Sequence, residues 1–183
     1  SGDGSLQKSN QSSGDVAGTE TSFTLSNTGS TAQSGTLLED SGSGNIVTVQ
    51  LPGFVSATVS GPAFSEAPGA ATSTLDGQVQ GTGSTDASFL GLQGSRFLDS
   101  LGAGASVDVR TITFSGSNGA QQTVQFTGTA NGGGEAFIID SSGLTPGSTL
   151  QLDHIDFAAV LGNATITGGA GSIHLTGDDA AQS

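Results

Sequence analysis

The run "LDHIDF" (152–157) is where side chains able to do chemistry are densest. Asp153, His154 and Asp156 are residue types that ligate metals or exchange protons. On a strand, successive side chains point to opposite faces, so 153 and 154 diverge while 154 and 156 share a side. The spacing alone therefore supplies a pair, His154 and Asp156, and His174 is not brought to it by proximity in sequence. Calcium asks for about six to eight oxygen ligands from carboxylates and carbonyls. Acids stand beside glycine at Asp3-Gly4, Asp76-Gly77 and Gly177-Asp178-Asp179. Asp153, Asp156, Asp178 and Asp179 are accordingly the candidate calcium ligands. Neither an EF-hand loop nor a glycine- and aspartate-rich calcium repeat is present.

Other chemistries find less support. A G-x-S-x-G nucleophile elbow is absent. Paired carboxylates occur at Glu39-Asp40 and Asp178-Asp179, but the aromatic platforms that usually line a sugar cleft are missing, since the chain has no Trp and no Tyr. Asn10-Gln11-Ser12 and Asn163-Ala164-Thr165 match the acceptor pattern for N-glycosylation. The single lysine, Lys8, lies near the start of the chain, where it cannot form a core isopeptide bond. We expect no catalytic activity.

Composition narrows the class further. Only 10% of the 183 residues are charged, and the balance is one-sided, 16 acids against three bases, Lys8, Arg96 and Arg110. A net charge of -13 opposes nucleic acid, whose phosphates need Lys and Arg, and opposes anionic membrane surfaces for the same reason. No apolar run approaches the roughly 18 residues of a membrane span, so membrane insertion is not expected. Cys and Met are absent, which removes disulfides and the easily oxidised side chains. A polar, weakly charged, lysine-poor chain of this kind fits an extracellular or cell-surface location. Its first residue is Ser1 rather than Met, and removal of a leader is the expectation that accompanies secretion.

The local signals are strand signals: short β-branched runs divided by Gly, Ser and Asn. "SFTLS" (22–26) places Phe23 and Leu25 on one face. "NIVTVQL" (45–51) does the same for Val47, Val49 and Leu51, and Pro52-Gly53 stops it. "FVSATVS" (54–60) resumes after that turn. An Ala-, Pro- and Gly-rich loop is expected to about Thr74, followed by short strands in "TLDGQVQG" and "ASFLGLQG". "SRFLDSLG" (95–102) offers one helical turn. Ser117-Asn118-Gly119 reads as the turn of a hairpin spanning 106–128. Its first arm changes apolar parity, from Val107 and Val109 to Ile112 and Phe114, which requires a bulge near Arg110 or burial of both faces. "EAFIID" (135–140) reads as a buried strand. Pro146-Gly147 is a turn, Leu150 and Leu152 alternate after it, and "IDFAAVLG" is open between strand and helix. "ATITGGAGSIHLTG" reads as a second hairpin. No internal repeat of fixed period is visible.

Roughly ten short strands at this spacing define an all-β protein, a β-sandwich or jelly roll with an extended N-terminal segment. The expected organisation is a low-complexity arm over residues 1–21, one sandwich domain over 22–177 and a tail over 178–183. Function is expected to be structural: a secreted subunit that assembles with copies of itself into a filament, surface layer or matrix. Strand addition at a sheet edge would join such negative subunits, because backbone hydrogen bonds form whatever the side chains carry. Val16, Phe23 and Leu25 are the candidate interface residues on a donated arm, and the alternative is that Phe23 and Leu25 open the chain's own first strand. A non-catalytic adhesin or calcium-dependent, lectin-like module is the second expectation.

Overall fold

A computed structural model describes residues 7–10, 20–40, 45–62, 67–81, 87–101, 107–116, 121–128, 134–162, 164–168 and 174–177. Its strands form two mixed sheets that pack on one another. The larger has seven strands in the order β1 (Gln7–Asn10), β2 (Glu20–Ser26), β5 (Ser56–Pro62), β6 (Val107–Ser115), β8 (Gly134–Asp140), β10 (Phe157–Leu161) and β12 (His174–Gly177). The smaller has five, in the order β11 (Ala164–Gly168), β9 (Ser148–Asp153), β7 (Thr123–Thr127), β4 (Asn45–Leu51) and β3 (Gln33–Asp40). The all-β sandwich expected from the strand pattern is the observed fold.

The two halves of the chain are wired differently. Through β6 the pairings within each sheet are antiparallel, as in β2 with β5 and β3 with β4. From β6 onward the chain lays one strand on the large sheet and the next on the small one, so neighbours within a sheet run parallel. This corrects both hairpins read from the sequence. β6 and β7 belong to different sheets, and so do β11 and β12. Turn-forming residues between two strands fix a reversal of direction, and a crossing between stacked sheets needs that reversal as much as a hairpin does.

The smaller sheet keeps one wet face, and its strands alternate accordingly. Val47, Val49 and Leu51 are buried while Thr48 and Gln50 are exposed. Leu150 and Leu152 follow the same rule after the turn at Pro146-Gly147, where Gly147 takes the φ of 83° that favours glycine. These inward residues meet Leu25, Ala57, Val59, Ile112, Phe114, Phe137, Ile139 and Val160 of the larger sheet in one core.

The larger sheet has no wet face in its centre. Val107, Val109, Ala136, Ile138, Phe157 and Ala159 form a second core with Ala71, Leu75, Val79, Phe97 and Leu98. Those last five lie on two helices, α1 (Pro68–Gly81) and α2 (Ala87–Asp99). The parity change in β6 is thus resolved by burial on both sides rather than by a bulge. The helices also correct the reading of 68–81 and 87–94 as loop and short strands. Ala71, Leu75 and Val79 recur every four residues, the spacing of one helix face, but helix-weakening glycine and threonine lie between them. The single turn read at 95–102 is the end of α2, where Phe97 stacks on Phe157 with ring centroids 5.3 Å apart.

One end of the sandwich is closed by a polar clamp. Asn27, 2% exposed, donates its side-chain amide to the carbonyls of Thr31, Leu51 and Pro52 at 2.8, 2.9 and 3.1 Å. The Phe54 peptide N–H donates to Gly29 O at 3.1 Å. The clamp holds Phe54 at a φ of 64°, a region bulky side chains rarely enter.

Glycine tests the helix layer directly. A Cβ on Gly94 would run into the Leu75 side chain, whereas one on Gly77 meets open space. Gly94→Ala is expected to lose about 1–3 kcal/mol as α2 is pushed from α1. Gly77→Ala is expected to gain about 0.5–1 kcal/mol by relieving helix glycine entropy. Urea unfolding of the two variants checks both signs.

Candidate functional site

The chemistry-bearing side chains gather at the other end of the sandwich, where β6, β8 and β10 begin. β6 and β8 run parallel with Asp108 opposite Glu135. β8 and β10 run parallel with Ala136 opposite Phe157, which sets Asp156 beside Glu135 one position earlier. Asp108 shares the parity of Ile112 and Phe114, and Glu135 that of Phe137 and Ile139, so both are on the sandwich side of their strands. Three neighbouring strands thus start with a row of carboxyls, and two of the three are fully buried, Asp108 and Glu135 each at 0% exposure.

The row has one cation. Arg110, 4% exposed, lies two residues along β6 and brings Nη2 to 3.7 Å from Asp108 Oδ1. Its Nη1 donates to the Val109 carbonyl at 2.8 Å. At the other side, the Glu135 peptide N–H donates to Asp156 Oδ2 at 3.2 Å. The Glu135 carboxyl lies between these two arrangements, and neither of its oxygens receives a hydrogen bond. Burial pushes it up from the ordinary 4.5 to about 9, and the Asp156 and Asp108 carboxyls push the same way. Burial and the neighbouring carboxyls thus favour the protonated over the ionised form of Glu135.

Of the nominated calcium ligands, Asp153 and Asp156 are held by different sheets. Asp153 ends β9 on the smaller sheet and accepts from Gln125 Nε2 at 3.0 Å and Gln151 Nε2 at 3.5 Å. Asp156 is turned instead to the Glu135 peptide on the larger sheet. His154, between them, sits in a left-handed turn at a φ of 53° as the chain crosses between sheets. Among the described residues no group of three or more His, Cys, Asp or Glu side chains is arranged to hold a metal ion. Asp178 and Asp179 lie outside the described residues.

Of the nominated interface residues, Val16 also lies outside the described residues. Phe23 belongs to β2, opposite Asn10 of β1 on one side and Val59 of β5 on the other. Leu25, 2% exposed, fills the chain's own core. The arm's residues Gln7–Asn10 pair antiparallel with the same chain's β2.

Compared with protein-family models, curated proteins and solved structures, the chain matches none. The class defined by its own architecture is an all-β sandwich of two mixed sheets with a helical layer on one of them. Among the described residues no helix is long and apolar enough to cross a membrane.

The buried ion pair can be tested by removing one side of it. Arg110→Met leaves Asp108 inside without its cation and is expected to cost about 3–5 kcal/mol. Asp108→Asn combined with Arg110→Met is expected to cost less than Arg110→Met alone. Denaturant unfolding of the two variants reads the difference, and a double variant no more stable than Arg110→Met would contradict the pairing.

Proposed function

We propose that the protein is a secreted, extracellular structural subunit that assembles with copies of itself into a filament, layer or matrix, joined through sheet edges and without a catalytic role. The observation that supports this reading is the contrast between the edges of its sheets. On one side β1 carries Lys8, and β3 breaks register between Thr36 and Leu38. A lysine and a bulge are both devices that discourage a further strand. On the other side the sheets end in β11, "ATITG", and β12, "HLTG", which contain no Asp, Glu, Lys, Arg or Pro. Among the described residues no strand pairs with their outer sides.

A strand from a second copy would gain main-chain hydrogen bonds there despite the net charge of -13. The N-terminal arm remains the proposed donor. Because its residues Gln7–Asn10 pair with β2 of their own chain, donation to β11 or β12 of a neighbour means giving up that pairing. Cations such as calcium would lower the repulsion between negative subunits without a dedicated site.

Negative-stain microscopy of the full chain, with and without millimolar calcium, is expected to show ordered polymers. A form starting at Thr21 is expected to lose them. Thr167→Lys, which places a charge on an exposed position of β11, is expected to shorten them. Monodisperse monomers of the full chain under every condition would overturn the reading, and polymers of the truncated form would remove the arm's part in it.

A further inference from the structure

We propose that Glu135 and Asp156 hold one proton between them, donated by the Glu135 carboxyl to the Asp156 carboxylate, and that this proton fastens β8 to β10 at the acidic end of the sandwich. The geometry that carries this is a carboxyl with 0% exposure and no donor to either oxygen, next to a second carboxyl, that of Asp156, which already accepts from the Glu135 peptide N–H. An ionised carboxylate in such a place costs several kcal/mol unless something neutralises it.

Among the described residues no free positive charge faces it. From β6, Asp108 faces Glu135 in register, and the cation of that strand, Arg110, is engaged with Asp108 and with the Val109 carbonyl. From the start of β10 comes Asp156. The smaller sheet turns apolar side chains inward, among them Val47, Val124, Phe126, Leu150 and Leu152. The helices cover the opposite face of the sheet, with Ala71, Leu75, Val79, Phe97 and Leu98. A proton is the neutralising charge that these groups leave room for.

With the proton in place, Asp156 receives two bonds from one residue, a main-chain N–H and a carboxylic O–H. The second is of the strong, charge-assisted kind. Both cross from the start of β8 to the start of β10. Removing the proton takes away that bond and sets three carboxylates side by side on adjacent strands, so this end of the sandwich separates first.

The direction of the pH effect follows. An unfolded chain releases this proton near 4.5, while the folded chain keeps it to about 9. The folded state binds the extra proton between those limits, so stability is fully present below about 4.5 and falls as pH rises toward 9. The unfolding equilibrium constant should rise about tenfold per pH unit in that window from this group alone.

The test is a carboxyl carbon NMR titration of the full-length protein labelled at glutamate, from acid to alkaline pH, repeated with millimolar calcium. The Glu135 signal is expected to titrate well above pH 7 and to ignore calcium. Asp156→Asn is expected to lower that midpoint by removing a neighbouring negative charge. Glu135→Gln, an uncharged shape-match, is expected to reduce the pH slope of unfolding by one proton. A Glu135 midpoint in the ordinary carboxylate range would overturn the proposal. So would calcium that expels the proton near pH 7, since a cation would then be the true occupant.

Discussion

The centre of the larger sheet is buried on both faces, and most of what this chain does follows from that. A sheet with one wet face can spend polar residues on alternate positions. β8 and β10 cannot: from Glu135 to Ile139 and from Phe157 to Leu161 every position is buried. A chain with 33% hydrophobic residues has few to spare. It meets the demand with small and β-branched side chains on the strands and with a helix layer that presents only a short apolar stripe. Parallel strands are the natural occupants of such a position, because covered faces are where parallel sheets occur.

The same constraint explains why the carboxyl row is unusual. On the smaller sheet an acid such as Asp153 is held by glutamine side chains at a half-buried position. On the larger sheet the acids that begin β6 and β8 have no water to turn to. One is met by Arg110 and the other has no donor at all. Covering both faces of the sheet thus converts ordinary surface acids into a linked set whose charge state matters to the fold. The fold also places two strands without charged residues, β11 and β12, at one pair of sheet edges.

Legibility in the sequence tracked the wet faces. Val47, Val49 and Leu51, or Leu150 and Leu152, announce a strand because exposed polar residues separate them. The buried strand "EAFIID" announced itself by its unbroken apolar character instead. α1 was hidden because Thr, Gly and Gln separate its buried residues, and a period of four over three positions is easily lost among strand-like pieces. The alternation of strands between sheets was hidden for a geometric reason. Val109 lies opposite Ala136, Ala136 opposite Phe157 and Phe157 opposite His174, and these separations shrink along the chain, so no fixed period marks the coils. The cluster at "LDHIDF" lies at this end of the molecule, with Asp153 held by glutamines of the smaller sheet and Asp156 by the Glu135 peptide of the larger. Asp108 and Glu135 carried a signal of their own: each is an acid on the same side of its strand as large apolar residues, Ile112 and Phe114 in one case, Phe137 and Ile139 in the other.

Edge joining of a sandwich with a two-side-buried sheet leaves a distinctive record in amide hydrogen exchange. Measured residue by residue in the isolated subunit and again in the assembled state, the amides of β6, β8 and β10 should be slowest in both. The outer amides of β11 and β12 should exchange quickly in the isolated subunit and slow sharply on assembly. New protection that appears on α1 and α2 while β11 and β12 stay open would contradict joining through these edges.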